Sequence, residues 1–315
     1  MTKLYVGIDI SKDSLDMAIH DSDKQWHFTN SEVGISKICT LLLKLEPALV
    51  VFEATGGYEL PLCISLEERG IPVALMNPRQ IRDFAKATGK LAKTDRLDAR
   101  AIAHFAAAIN PKPQSLSENQ EVKDIVTRRS QIVQMLVSEK NRLRSAHKST
   151  KVRIQDHIEW LEKELDEIDC ELRRQIKENP DWKEKDKILQ SIPGVGPVLS
   201  ITLLSGLPEL GKLDRKKIAA LTGVAPLNRD SGTMRGKRTI WGGRAKVRSM
   251  LYMGTLVAIR HNPVISEFYQ RLCGYGKSKK TAITACMHKL LSIVNAMIRT
   301  RIVWRPTTFY PNLAN

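Results

Sequence analysis

The stretch that decides the fold of the first part of this chain is ALVVFEATGGY, residues 48–58. Its first half is an unbroken run of apolar residues, bounded by Pro47 on one side and by Gly56 and Gly57 on the other. A short apolar run of this kind is typical of a strand that is buried on both faces of its sheet. The stretch therefore predicts a sheet covered by helices, with a carboxylate, Glu53, where one central strand ends.

The sequence on either side of this strand alternates between strand and helix patterns. Leu4, Val6 and Ile8 alternate with other residues as in a strand, and two further apolar segments flank the polar turn at 21–23, which predicts a hairpin. Further elements are predicted as helices over 36–45, 58–69, 79–87 and 95–109 and a strand over 71–77. Early strands followed by alternating helices and strands predict an α/β domain with a mixed sheet over residues 1–112.

A proline- and serine-rich segment, 110–118, precedes a wholly helical region, and we predict a helical, coiled-coil-like linker over 113–183. Its apolar positions are spaced by three and four residues, almost as in a heptad repeat: Ile154, Ile158, Leu161, Leu165, Ile168, Leu172 and Ile176. Such a seam fits either a hairpin of two helices within the chain or a contact between two copies. Asn179-Pro180 is predicted to end the element.

The last third is predicted to be a mostly helical domain over 184–305, followed by a tail over 306–315. SIPGVGPVLS, residues 191–200, places a glycine turn between two apolar helices and resembles a helix-hairpin-helix, which presents Gly194 and Gly196 to a phosphate. An ordinary tight turn between packed helices fits equally well. Residues 229–248 hold seven Lys or Arg, one Asp and four Gly, which favours a loop that contacts nucleic acid over a solvated charge run.

Composition narrows the class of protein. The chain has 315 residues, 50 Lys and Arg against 34 Asp and Glu, and a formal net charge of +16. This excess favours a polyanionic partner, although a basic surface can also serve solubility alone. The five cysteines are scattered and show no CxxC pair, which argues against a disulfide framework or zinc site and predicts a reducing cytoplasm. No signal peptide is expected at the N-terminus, and no membrane-spanning run is predicted.

Four carboxylates stand where the predicted elements begin or end: Asp9 and Glu53 close strands, and Asp95 and Asp98 begin a helix. Such positions are rigid, and carboxylate oxygens suit Mg²⁺ or Mn²⁺, which engage substrate phosphates. Taken alone, Asp95 and Asp98 are better explained by interaction with the helix dipole. Together with the acids at the strand ends, they predict a metal site for phosphodiester chemistry.

The order of these motifs is recognisable. Six stretches follow one another along the chain: GIDIS, FEATGGY, KTDRLDARAIA, SIPGVGPVLS, LTGVAPLNRDSGTMRGKR and LYMGTLVAIRHNPVISEFYQRL. In these stretches and in their order, the chain resembles the Piv/MooV-type insertion-sequence transposases over nearly its whole length. The resemblance implies an N-terminal RuvC-like, RNase H-type domain whose DEDD metal ligands are Asp9, Glu53, Asp95 and Asp98. It also implies that Ser231 is a nucleophile that becomes covalently joined to DNA during strand cleavage, exchange and rejoining.

The same resemblance implies Mg²⁺ or Mn²⁺ as cofactor, donor and target DNA as substrates, and a structured noncoding guide, the bridge RNA. It further implies a homodimer or tetramer in the cytoplasm, associated with the nucleoid and not with a membrane. Ser231 and the DEDD site would then meet across subunits. The candidate contacts to nucleic acid are Gly194, Gly196, Arg229, Arg235, Lys237, Arg238, Arg244, Lys246 and Arg248.

Three other functions remain compatible with parts of the sequence. A RuvC-like nuclease would hydrolyse DNA junctions without a covalent intermediate, and would keep cutting without Ser231. A sugar-kinase or actin-like ATPase also opens with a strand like GIDIS, but it needs a second phosphate loop and a second ATPase lobe, whereas the second half here is helical and basic. A catalytically inert nucleic-acid-binding protein has no need of the four acids.

Overall fold

The computed structural model describes residues 3–89, 95–113, 120–227, 231, 236 and 238–305, with side chains at 95–97 left out. The chain forms two compact units, divided between Gln120 and Glu121. Unit 1 is an α/β domain, as the sequence predicts, and unit 2 is mostly helical. The helices predicted for the linker over 113–183 lie mainly in unit 2. The predicted boundaries after residues 112, 183 and 305 stay a prediction.

The elements of unit 1 are β1 (Tyr5–Ile10), β2 (Ser14–Ile19), β3 (Gln25–Thr29), α1 (Glu32–Leu45), β4 (Leu49–Glu53), α2 (Leu60–Glu68), β5 (Val73–Met76), α3 (Pro78–Ala87) and α4 (Asp95–Ile109). The strands form a five-stranded mixed sheet of order β3-β2-β1-β4-β5. β1 pairs with β2 antiparallel and with β4 parallel, and β4 pairs with β5 parallel. These bounds confirm the predicted hairpin and the predicted order of strands and helices.

The sheet of unit 1 is covered on both faces, which explains the unbroken apolar run of β4. Val50 and Phe52 pack with α1 and α2 residues such as Ile38 and Leu62 on one face. On the other face Val51 packs with Ile102 of α4 and its neighbours. Because all four residues from Leu49 to Phe52 are buried, only Glu53 at the end of the strand is partly accessible.

Unit 2 is built from eight helices and a two-stranded hairpin in the described residues. Its elements are α5 (Gln120–Ser145), α6 (Lys148–Glu178), α7 (Pro180–Gln190), α8 (Pro197–Gly206), α9 (Arg215–Thr222), β6 (Pro226–Leu227), β7 (Thr239–Ile240), α10 (Ala245–His261), α11 (Pro263–Gly274) and α12 (Lys279–Thr300). α6 ends just before Asn179-Pro180, as predicted, and Asn179 then caps α7 by accepting a hydrogen bond from the Trp182 amide.

The structure settles which partner the heptad-like seam of α6 meets within the chain. Leu161, Ile168 and Leu172 are buried in one cluster with Val122 and Ile132 of α5. The seam therefore closes a hairpin of two long helices inside unit 2. The sequence could not decide this, because the same spacing serves a pairing within a chain or between chains.

One helix in the described part of the chain, α12, is long and apolar enough to cross a membrane, which the sequence reading did not anticipate. Of its most apolar window, 61% is buried within the protein. Leu290, Val294 and Met297 are all fully buried in the core of unit 2. Its hydropathy is therefore that of a central core helix.

Candidate active site

Asp9 and Glu53 lie side by side at the carboxyl end of the sheet in unit 1. β1 and β4 are parallel neighbours, and Ile8 is paired with Phe52, so the next residue of each strand is one of the two acids. Paired residues of adjacent strands point to the same face of a sheet. Both acids are partly accessible, whereas Ile8 and Phe52 before them are fully buried.

Asp98 is brought to the same region by the close packing of α4 on β1. A Cβ atom at Gly7 would lie 2.4 Å from the carbonyl oxygen of Ala99 and 2.2 Å from the amide nitrogen of Ala103. Only glycine permits this approach of the two backbones. Asp98 directly precedes Ala99 and is half-buried, and Gly7 lies two residues before Asp9. Asp95 is the first residue of α4, and its side chain lies outside the described residues.

The donors present here suit a hard cation. Among the side chains that the structure describes, no three His, Cys, Asp or Glu form a group that is ready to hold a metal ion. Asp9 and Glu53 nevertheless supply neighbouring carboxylates on a rigid sheet. Mg²⁺ commonly binds through only one or two carboxylates and completes its coordination with water and substrate phosphate. The residues therefore fit magnesium.

The register of the hairpin places a further pair, Asp16 and His27, beside these acids, and the sequence reading missed it. Asp16 is directly opposite Asp9 on β2, and His27 is directly opposite Asp16 on β3. The Nδ1 atom of His27 lies 2.9 Å from Oδ1 of Asp16. The Asp16 side chain is 13% exposed and that of His27 is 66% exposed. Counting outward from the predicted turn at 21–23 pairs Asp16 with His27, whereas the pairing of Asp16 with Asp9 depends on the separate turn at 11–13 between β1 and β2.

Glu59 is the second residue that the sequence patterns do not single out, because it lies inside the predicted helix 58–69, whereas in the structure it precedes the first residue of α2. It is 5% exposed, and its Oε2 atom accepts hydrogen bonds from the Thr55 amide, the Thr55 hydroxyl and the Gly57 amide. Burial raises the pKa of Glu59, but the hydrogen bonds from Thr55 and Gly57 outweigh burial and hold that pKa below its usual range. Glu59 therefore fixes the loop that follows Glu53.

The predicted nucleophile, Ser231, lies in unit 2 and is exposed. It falls between the two strands of a short antiparallel hairpin, in which Pro226 pairs with Ile240 and Leu227 with Thr239. Arg229, Arg235 and Lys237, which the sequence places around it, lie outside the described residues. Arg238, immediately before β7, is exposed. The accessibility of Ser231 is compatible with attack on a large substrate.

The basic residues that follow this hairpin already make contacts within unit 2. Arg244 donates two hydrogen bonds of 2.6 Å to the carboxylate of Glu209 and one to the carbonyl of Gly206. Burial raises the pKa of Glu209, but the Arg244 guanidinium outweighs it and lowers that pKa. Arg248 donates to the carbonyls of Gly242 and Thr222. These contacts anchor the C-terminal side of the hairpin.

Lys246, Gly194 and Gly196 are the remaining residues that the sequence predicts to contact nucleic acid. The Nζ atom of Lys246 donates to the Thr127 hydroxyl at 2.9 Å, yet the residue is exposed. Gly194 and Gly196 lie between α7 and α8, as predicted for a turn between two helices. Gly194 contacts α10 so closely that a Cβ atom there would lie 2.5 Å from that of Ala258. Gly196 is exposed and caps α8 without a side-chain hydrogen bond.

Two family models match this chain, and between them they contain the acids and the serine. Residues 6–151 match the DEDD domain model of IS110, described as a transposase. Residues 186–270 match the model described as transposase IS116/IS110/IS902 family.

Several curated proteins are similar to the chain over most or part of its length. The chain is 28% identical to the pilin gene-inverting protein of Moraxella bovis over 312 residues, covering 95% of this chain and 97% of that protein. It is 23% identical to the transposase for insertion sequence element IS1111A of Coxiella burnetii, covering 81% and 78%. Among solved structures, Thermus thermophilus RuvC matches at 17% identity and a TM-score of 0.27, covering 35% of this chain and 99% of RuvC.

Proposed function

The chain belongs to the IS110/IS116/IS902 family of insertion-sequence transposases, and from this premise we propose that it recombines DNA through two separate chemical groups. The first is a magnesium site at the carboxyl end of the unit 1 sheet, and the second is the Ser231 hydroxyl in unit 2. The observation that carries the proposal is the placement of Asp9 and Glu53 on adjacent strand ends, with α4 packed against β1 just after Asp98.

Asp9, Glu53, Asp95 and Asp98 would hold the cation in this proposal. Bound Mg²⁺ would stabilise negative charge on the scissile phosphate and on the departing oxygen. The sheet and α4 supply the rigidity that such a site needs, because ligands held by regular elements keep their geometry better than ligands on loops. Asp16, fixed by His27, adds negative charge next to Asp9 and so strengthens the attraction of the site for a cation.

Ser231 supplies the nucleophile. Its oxygen forms a bond to the phosphorus of the DNA while the bond from that phosphorus to a DNA oxygen breaks. The serine proton is lost, and the departing DNA oxygen takes up a proton and becomes a hydroxyl. Attack by the hydroxyl of another strand then reverses the exchange, releases Ser231 and rejoins the DNA. The phosphodiester energy is conserved in the covalent link.

The nucleic-acid partners we propose are donor DNA, target DNA and a bridge RNA that selects both by base pairing. The net charge of +16 supports polyanionic partners, because each neutralised phosphate releases counterions. Exposed Arg238 and Lys246 and the Gly196 turn are the described residues that we assign to backbone contact. Base pairing can supply sequence choice, as in other guided systems.

We also propose that the working form is a dimer or tetramer in the cytoplasm, in which Ser231 of one copy serves the acid site of another. The acids and the serine belong to different compact units, which is compatible with pairing between copies.

The sharpest test is the substitution Ser231→Ala, assayed with a plasmid that carries the insertion sequence and its flanking DNA. The wild-type protein should form a protein–DNA adduct that survives denaturation, and the variant should form none and lose strand exchange. Ser249→Ala, an exposed serine on α10, is the matched control and should recombine normally. Continued cutting by the Ser231 variant without an adduct would identify the protein as a hydrolytic junction nuclease.

The metal site is tested separately with Asp9→Asn and Asp98→Asn. Each variant should lose Mg²⁺-dependent recombination by at least about a hundredfold and should still bind DNA, because only the ligand charge is removed. Mn²⁺ binding, measured by electron paramagnetic resonance, should weaken in both. Full recombination by either variant would refute the assignment of that acid.

A further inference from the structure

The loop over 54–59, ATGGYE, directly follows Glu53, and the chemistry proposed above assigns it no role. It leaves the end of β4, where the Ala54 amide still donates to the Met76 carbonyl of β5 at 3.0 Å. It then returns to the start of α2 at Leu60. The loop therefore borders the strand end that carries the acid.

Two side chains hold this loop in place through hydrogen bonds, Glu59 and Asn30. The buried Glu59 carboxylate gathers the Thr55 and Gly57 amides, as described above. Asn30 bridges to the neighbouring turn, since its Nδ2 atom donates to the Tyr58 carbonyl at 3.2 Å and to the Ser11 carbonyl at 2.9 Å. Ser11 lies two residues after Asp9. Asn30 thus joins the 54–59 loop to the turn after β1 at Ser11, and we call these two segments together the rim beside Asp9 and Glu53.

The outer surface of the rim is open and carries an aromatic ring. Gly56 and Gly57 have φ angles of 87° and 133°, and among the residues that the structure describes no atom lies within 4 Å of where their Cβ atoms would be. The two glycines therefore adopt the positive φ angles that this turn requires, and without side chains they leave the backbone of the loop accessible. Tyr58 is next in sequence and is 48% exposed, although its backbone is fixed by Asn30.

An exposed aromatic ring on a fixed backbone, next to bare glycine backbone, fits a nucleic-acid strand. Bases stack on aromatic side chains, and glycine lets a sugar–phosphate chain approach the protein backbone closely. The chain's excess of positive charge favours the same partner. A rigid support also lowers the entropy cost of binding, because the loop is ordered before the strand arrives.

We infer that the 54–59 loop is a strand-binding platform, on which Tyr58 stacks against an unpaired base next to the phosphodiester at the acid site. This inference rests on the proposed function, because that function places a scissile phosphate at Asp9 and Glu53. Tyr58 contacts the substrate through its ring face, and Glu59 and Asn30 position it. The phenol hydroxyl has no part in the contact.

The test measures binding without cleavage. The probe is a DNA duplex with one unpaired 2-aminopurine in its centre, titrated in Ca²⁺ with wild-type protein and with Tyr58→Phe and Tyr58→Leu. Stacking quenches 2-aminopurine, so the wild-type protein and Tyr58→Phe should quench the probe. Tyr58→Leu should leave it bright and bind about tenfold more weakly, the loss expected for one base–aromatic stack. Trp160→Leu, which removes a similarly exposed aromatic from α6, should change neither value.

Wild-type affinity and quenching in Tyr58→Leu would overturn the inference, and so would an equal loss in Trp160→Leu. Thermal unfolding of each variant checks that the fold is kept; the hydrogen bond from Asn30 is made to the Tyr58 backbone carbonyl and does not depend on the side chain. Failure of this inference can be distinguished from failure of the proposed function. Full recombination by Asp9→Asn or Asp98→Asn would refute the assignment of that acid to the metal site, whereas the 2-aminopurine signal reports strand binding alone.

Discussion

The acid-bearing edge of unit 1 and the serine-bearing hairpin of unit 2 are built in opposite ways. Asp9 is the last residue but one of β1 and Glu53 is the last residue of β4, and their surroundings are fixed by a helix packed on Gly7 and by the buried Glu59. Ser231 is exposed and stands outside the two-residue strands of its hairpin, which is anchored mainly through Arg244 and Arg248. The contrast fits the proposed division of roles, in which a cation site needs fixed geometry and a serine nucleophile needs access to a large substrate.

The largest effect is expected from Gly7→Ala, which tests whether the rigidity of the acid-bearing edge depends on the packing of α4 against β1. The new methyl group would overlap the backbones of Ala99 and Ala103, and neither can give way without moving the helix. We expect the free energy of unfolding to fall by about 3 kcal/mol or more, measured in urea. Mn²⁺ affinity should fall with it, since Asp98 moves.

Gly274→Ala is the control for that experiment. Gly274 ends α11, and a Cβ atom there would meet no atom of the described residues within 4 Å. The variant should be neutral or slightly more stable, because alanine is the better helix former. Wild-type stability in Gly7→Ala would show that α4 is not held against β1 as described.

A smaller loss is expected from Glu59→Gln, which tests whether the loop after Glu53 depends on a charged anchor. Removing the charge should cost roughly 1–3 kcal/mol near neutral pH, because Thr55 and Gly57 lose their ionised acceptor. The folded-state pKa of Glu59 is below its unfolded value, so this stability is present above the unfolded pKa and is lost as pH falls through the folded pKa. The stability curves of wild type and variant should therefore converge in acid.

The corresponding anchor of unit 2 is tested with Glu209→Gln. Arg244 would keep one acceptor and lose the opposite charge, and both side chains are about one-third exposed. We expect a loss of about 1–2 kcal/mol in the unfolding of unit 2, with little effect on Mn²⁺ binding. A loss of Mn²⁺ affinity as large as that of Asp9→Asn would contradict the assignment of the two anchors to separate sites.

The smallest effect should come from His27→Ala. His27 is largely exposed and contributes one hydrogen bond to Asp16, which is worth about 1 kcal/mol, so the loss of stability should be small. Mn²⁺ affinity should shift only a few-fold, since Asp16 loses a partner but keeps its charge. Loss of all Mn²⁺ binding would show instead that His27 is itself a ligand.

Much of the fold was predictable because the deciding patterns are local. The unbroken apolar run of β4, the hairpin before it and the helical spacing of α6 each specify an element without knowledge of the rest. The order of elements then predicted an α/β domain followed by helices, and this is confirmed. The candidate acids could be chosen for the same reason, since each is a carboxylate at the end or start of a predicted element.

Local sequence patterns specify which segments form strands and helices and where the acids stand along them, and the net charge of +16 favours a polyanionic partner. Tertiary packing sets the position of Asp16 opposite Asp9, the support of the loop after Glu53 by Glu59, and the pairing of Arg244 with Glu209. It also decided that the α6 seam closes within the chain. The physical reason is that these contacts join residues whose distance in space depends on strand register, loop path and helix packing, which local periodicity does not specify.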